Sequence, residues 1–114
     1  MKKYCYTLDL KKNEQLKKEY IDHHKNVWPE IIKSIKDSGI KSVEIYNLNY
    51  RLFMVMETDN NFNEKDKKKS DLNNPKVQEW ESLMWKYQMT ISNAKKGEKW
   101  VRMNKIFDLN QICN

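Results

Sequence analysis

The sequence predicts an α+β fold in which one antiparallel sheet carries its helices on a single face. Three observations predict it. Residues 3–10, 40–48 and 99–109 alternate apolar and polar side chains with the period of two expected of half-buried strands. Residues from about 13 to 38, and again from 75 to 91, space their apolar side chains three and four apart, as amphipathic helices do. These segments follow in the order strand, broken helix, strand, strand, helix, strand, which is the split βαβ arrangement of ferredoxin-like folds.

The first strand places Tyr4, Tyr6, Leu8 and Leu10 on one side and Lys3, Cys5, Thr7 and Asp9 on the other. Lys11-Lys12-Asn13 marks a turn, with Asn13 a suitable N-cap. Leu16, Tyr20, Ile21, His24 and Val27 continue at helical spacing. Pro29 suits a first helical position and pushes Trp28 out of the α region, so the helical stretch breaks there and resumes through Ile31, Ile32 and Ile35 to Gly39. In the second strand Val43 and Ile45 face one way and Glu44, Tyr46 and Leu48 the other. Residues 51–58 form a nearly continuous apolar run, read as a strand buried on both faces. Asn49-Tyr50 is short enough to make these two strands an antiparallel hairpin, although it lacks glycine.

Residues 59–74 are the most polar part of the chain and fit a short helix or a loop. Asn74-Pro75 then opens a helix carrying Val77, Trp80, Leu83, Met84, Tyr87 and Ile91, most of them core positions. Lys95-Lys96-Gly97 ends that pattern. A final strand follows, with Val101, Met103, Phe107 and Leu109 on one face. No repeat or linker divides the chain, and 114 residues suit one domain spanning 1–114. Only 39% of the residues are hydrophobic, so the core is small. The open sheet face needs a cover, for which a second copy of the chain is the natural candidate.

The net charge of +6 raises nucleic-acid binding as a possibility. Its lysines are spread among Glu and Asp, however, and only Arg51 and Arg102 are arginine, the residue that most often contacts guanine. A solvated lysine-rich surface is the better account, with no nucleic-acid partner. No apolar run reaches the roughly 20 residues of a membrane span, and none of signal-peptide length follows the first lysines. Cytoplasmic residence is the expectation, with Cys5 and Cys113 as free thiols.

The chemistry-bearing residues concentrate in 19–30. Tyr20 and His24 lie one helical turn apart, and Trp28 stands at the break. On residue pattern alone, a hydrogen-bonded structural histidine is the commoner outcome. Adjacent helical residues point about 100° apart, so His23 and His24 would not chelate one metal ion. With glycine only at 39 and 97 there is no phosphate-binding loop, and neither cysteine has a partner for nucleophilic catalysis.

The segment Glu-Tyr-x-x-x-His-x-x-x-Trp-Pro-Glu at 19–30 resembles the L-rhamnose mutarotase family. So do Ile45-Tyr46, the strand from Phe53 to Glu57, and the stretch from Pro75 to Met84, and the resemblance runs through essentially the whole chain. It implies a dimeric α+β barrel and an isomerase that interconverts the α and β anomers of a deoxy-hexose, L-rhamnose or L-fucose in type, without metal or cofactor. Position by position, His24 matches the family's proton donor, and Tyr20, Tyr46 and Trp80 its substrate contacts. The family typically has two consecutive tryptophans where this chain reads Trp80-Glu81. That departure removes an aromatic wall and introduces a carboxylate, a candidate for the second proton transfer. Trp85, one turn further on, either replaces the wall or packs in the core. The same barrel also hosts haem-degrading or cofactor-free monooxygenases, and a non-catalytic sugar-binding dimer is a third possibility.

Overall fold

The structure, a computed structural model, describes residues 1–111. Its elements are β1 (Lys2–Leu10), α1 (Glu14–His23), α2 (Pro29–Asp37), β2 (Ile40–Leu48), β3 (Arg51–Thr58), α3 (Glu64–Leu72), α4 (Pro75–Trp85), β4 (Gln88–Met89) and β5 (Val101–Arg102), followed by a single 3-10 turn at Leu109–Gln111. The sheet runs in the order β2-β3-β1-β4, and β5 pairs with another stretch of β1. All pairings are antiparallel. The expected α+β, split βαβ architecture is what the chain adopts.

The capping residues act where the sequence places them. The Asn13 side chain accepts from the Leu16 N–H, Asn63 from Lys65 and Asp66, and Asn74 from Lys76 and Val77. Each satisfies helix-end donors that would otherwise lack a partner. The polar stretch after β3 thus contains a real helix, α3, started by Asn63. The β2–β3 hairpin turns without glycine because Asn49 takes φ 53, and the Asn47 amide braces it by donating to the carbonyls of Asn49 and Arg51. Asparagine tolerates this left-handed conformation better than most residues.

One sheet face carries the helices. Tyr4, Tyr6 and Leu8 of β1 pair with Met56, Met54 and Leu52 of β3, Leu10 donates its N–H to the Tyr50 carbonyl just before β3, and the four β1 residues are all buried. Two apolar clusters form on this face. Leu10, Tyr20, Ile31, Leu52, Val77, Trp80, Met84 and Tyr87 make the larger one, and Tyr4, Tyr6, Ile40, Met56 and Phe62 the smaller. The opposite face holds Cys5, Thr7, Phe53, Val55, Tyr46 and Leu48, with no helix of the described residues over it.

Three expectations need correction. The helix read through Ile91 stops at Trp85, because the chain turns back to pair Gln88–Met89 with Asp9–Leu10 at the edge of β1. The spacing of Leu83, Tyr87 and Ile91 mimics a further helical turn, but the Tyr87 carbonyl is taken by the Lys11 N–H. The final strand is only Val101–Arg102; Met103, Phe107 and Leu109 are exposed, with no apolar cover among the described residues. Finally, β3 is covered on one face only: Leu52, Met56 and Thr58 are buried, while Phe53 and Val55 on the other face are half-buried. Cys5 is half-buried and has no disulfide partner among the described residues; Cys113 lies outside them.

Candidate active site

Where the two apolar clusters fail to meet, a cavity of about 500 Å³ remains between the helices and the sheet. Tyr20, His24, Trp80, Glu81, Gln88 and Lys99 bring polar groups to it, while Ile31, Val43, Ile45, Met54, Met56 and Met84 supply much of its apolar lining. A concave apolar site with a few convergent polar groups is the usual form of a small-molecule pocket.

His24 reaches this cavity because α1 ends there. The residue is the helix C-cap, and its ring stacks obliquely on Tyr20 at 4.4 Å and edge-on to Trp80 at 5.7 Å. Trp28, at the helix break, meets Trp80 at 5.1 Å and props the indole from behind. His24 Nδ1 lies 2.8 Å from the Tyr20 carbonyl oxygen. A carbonyl only accepts, so Nδ1 carries a hydrogen, and in the neutral ring the lone pair is on Nε2. Burial pushes the His24 pKa below its ordinary value, opposed by the bond to Tyr20 and aided by neighbouring His23. The imidazole is therefore neutral at pH 7, with a basic Nε2 available to the cavity that the ring lines.

Tyr20 is only 3% exposed, and burial raises its hydroxyl pKa to about 12, so it stays protonated at every physiological pH. Gln88 Nε2 donates to Tyr20 Oη at 3.2 Å, which leaves the tyrosine's own hydrogen free to be donated elsewhere. Gln88 Oε1 is buried and has no hydrogen-bond partner among the described residues.

Of the residues singled out from the sequence, the structure gathers His24, Tyr20, Trp80 and Glu81 around one cavity. It does not bring in the other two. Tyr46 points from the opposite sheet face, is 55% exposed and lies 6.4 Å from the Phe53 ring; its β2 neighbours Val43 and Ile45 face the cavity instead. Strand alternation dictates this, since one-residue steps change faces. Trp85 is neither a pocket wall nor a core residue. It is 41% exposed, with the Lys99 ammonium 5.0 Å from its ring centre. His23 diverges from His24: its Nε2 lies 3.1 Å from the Tyr87 hydroxyl, which in turn donates to Glu19 at 3.2 Å.

Lys99 and Gln88 escaped the sequence reading. Gln88 was hidden in an apparent helix tail, and Lys99 at the start of an apparent strand. Lys99 forms an ion pair with Glu81, its side chain 11% exposed against 43% for the glutamate. Burial lowers the ammonium's pKa and the carboxylate beside it pulls the other way. A charged Glu81 where an indole is usual was itself a signal that a counter-ion must come from elsewhere. Among the described residues no three His, Cys, Asp or Glu side chains are grouped to hold a metal ion.

A sheet with helices on one face, and between them a cavity lined by an indole, a neutral imidazole and a tyrosine hydroxyl, is a container for a small, partly apolar molecule with a titratable group beside it. Comparison with known proteins gives the class. The model of the L-rhamnose mutarotase family matches residues 3–109. An L-fucose mutarotase of Xanthomonas campestris pv. campestris is 34% identical over 116 aligned positions, covering all of this chain and 93% of the relative. A UPF0734 protein of Dictyostelium discoideum is 38% identical over 112, covering 95% and 90%. The crystal structure of an L-rhamnose mutarotase from Formosa agariphila superposes with a TM-score of 0.72 at 18% identity, covering 96% of this chain and 99% of that one. The chain belongs to the L-rhamnose mutarotase family, which places it among the isomerases that interconvert sugar anomers.

Proposed function

We propose that the substrate is a deoxy-hexopyranose of the L-rhamnose or L-fucose type and that His24 carries the proton transfer. The observation that supports this most is the pairing of a fixed tautomer with a place to act: Nδ1–H is tied to the Tyr20 carbonyl, and the ring lines the cavity against Trp80. In ring opening, Nε2 takes the proton of the anomeric hydroxyl, the bond from the anomeric carbon to the ring oxygen breaks, and the ring oxygen gains a proton delivered through water. The aldehyde turns about its bond to the next carbon. In closure the hydroxyl adds to the other face, losing its proton to water, and the imidazolium returns its proton to the carbonyl oxygen. His24 is thus acceptor on opening and donor on closing, which fits the donor role implied by the family pattern. Such acid–base help is worth roughly 10²–10⁴-fold.

Tyr20 and Trp80 position the sugar, the first through its free hydroxyl hydrogen and the second through an indole face laid on the pyranose C–H face. The mechanism needs no metal or cofactor, and no nucleic acid or membrane enters it. We place the enzyme in the cytoplasm; no helix among the described residues is long and apolar enough to cross a membrane.

The working unit in this proposal is a homodimer, a dimeric α+β barrel. Phe53 and Val55 are half-buried and Tyr46 and Leu48 exposed on the uncovered sheet face, and Ile106, Phe107 and Leu109 project from the chain near its end. A second copy laid on this face would cover them, and Tyr46 then belongs to the subunit contact.

Family membership favours this reading over a monooxygenase of the same architecture. Saturation-transfer NMR between anomeric resonances tests it directly. The enzyme should raise the exchange rate of L-fucose, L-rhamnose or both above the rate in water, while a non-catalytic sugar-binding dimer would leave it unchanged.

A further inference from the structure

Glu81 and Lys99 form one of two charged pairs that line the cavity, and the mechanism above leaves both residues unused. We propose that this pair clamps two adjacent hydroxyls of the sugar, the carboxylate accepting from one and the ammonium donating to the other, and so selects the substrate by its diol. The inference rests on the mutarotase reading and adds to it the feature of the sugar that is recognised.

Lys99 is the buried half of the pair, with donors to spare, while Glu81 is 43% exposed and keeps an oxygen open at the cavity. An ammonium has three donors. Glu81 takes one from Lys99, and the Trp85 ring face 5.0 Å away accommodates positive charge but accepts no conventional hydrogen bond. Among the described residues Lys99 has no other acceptor, and the second Glu81 oxygen has no donor. The cavity's other ion pair behaves differently. Lys67 donates to Asp71 at 2.6 Å and to Ser34 at 3.3 Å, so its ammonium is held twice by the protein. Burying a lysine as deeply as Lys99 with one partner costs desolvation that a ligand's oxygen would offset.

A sugar diol matches the chemistry of the pair. Each hydroxyl has one hydrogen to give and lone pairs to receive, so one hydroxyl can donate to the carboxylate while its neighbour accepts from the ammonium. Glu81 follows Trp80 on α4, and both line the cavity, so a pyranose lying on the indole would present its rim of hydroxyls to the pair. The tryptophan usual in the family at position 81 could not make these bonds.

The test uses the full chain and measures both anomeric exchange and binding, the latter by saturation-transfer difference titration. Probes are L-fucose, L-rhamnose, and analogues of the better ligand lacking the hydroxyl at carbon two, three or four. Wild type should bind the analogues lacking either member of one adjacent pair at least about tenfold more weakly than the parent, the loss expected when a charged hydrogen bond goes unmade. Lys99→Met should raise KM about tenfold with kcat nearly unchanged, and should no longer distinguish the parent from one of those two analogues. Glu81→Met/Lys99→Met, which removes both charges and leaves neither unpaired, should lose discrimination at both. Discrimination by the double variant equal to wild type would show that the pair only ties the loop to α4. A fall in kcat at constant KM for Lys99→Met would make the pair a proton-transfer device, and also overturns the proposal. If wild type binds and discriminates but does not accelerate exchange, the clamp stands and the mutarotase reading fails; if it binds none of the sugars, both fail.

Discussion

Replacing Tyr20 by Phe removes a single oxygen, and the structure sets how much that should matter. Tyr20 Oη is the acceptor for Gln88 Nε2, both residues are 3% exposed, and Gln88 Oε1 already lacks a partner. The variant would therefore leave the whole Gln88 amide buried and unpaired. An orphaned buried donor costs about 1–3 kcal/mol, and for a domain of this size each kcal/mol is about 4 °C in Tm. Tyr20→Phe should thus melt about 4–12 °C lower. Tyr20→Phe/Gln88→Met removes both partners and the orphan oxygen, and should recover to within about 1 kcal/mol of wild type, since deleting a buried pair together is nearly neutral. The assays are thermal melting for Tm and urea denaturation for the free energy, both followed by tryptophan fluorescence at one protein concentration because any dimer stabilises by mass action. The reasoning is refuted if the single variant is as stable as wild type, or if the double is worse than the single. In turnover, Tyr20→Phe should lose several-fold, the worth of one positioning hydrogen bond of about 0.5–1.5 kcal/mol.

Gly39 has φ +91, and a β-carbon there would meet the Asp59 carboxylate at 2.7 Å, so Gly39→Ala should cost more than about 1 kcal/mol in the same urea assay. His24 supplies a pH dependence. Burial lowers its folded pKa below the ordinary value near 6.5, so the unfolded chain binds the proton first, and stability from this group falls as pH drops through about 6.5 toward the folded value; His24→Gln should flatten that part of the urea-midpoint profile, and wild-type exchange should keep its rate down to a pH below 6.5. Sedimentation should give about twice the subunit mass of 13.9 kDa, and Phe53→Arg, on the uncovered sheet face, should give monomers.

The strands and helices were legible wherever periodicity and caps agreed. Asn13, Pro29, Gly39, Asn74 and Pro75 mark real boundaries because each satisfies a local backbone requirement that tertiary structure does not override. The last quarter was not, since Gln88–Met89 becomes a strand only by meeting the edge of β1, a contact 78 or more residues distant that no local pattern encodes. The alternation of 103–109 is a true apolar pattern whose Met103, Phe107 and Leu109 stay exposed among the described residues. At the site, Tyr20 and His24 could be read because helical spacing fixes a shared face, whereas Trp80, on a different helix, came only from the family resemblance. Tyr46, which the resemblance places at the substrate, lies on the sheet face opposite Val43 and Ile45, as its own strand alternation requires. Lys99 could not be placed by spacing at all, because it meets Glu81 across a loop.

The most direct test of the account is the anomeric exchange rate of His24→Ala at pH 7, corrected for the uncatalysed reaction and measured beside His23→Ala. His24 lines the cavity with Nδ1–H held by Tyr20, whereas His23 is bonded to Tyr87 outside it. His24→Ala should lose about 10²-fold or more, with the fold intact by circular dichroism, and His23→Ala should change the rate little. Equal exchange by His24→Ala and wild type would contradict the mechanism.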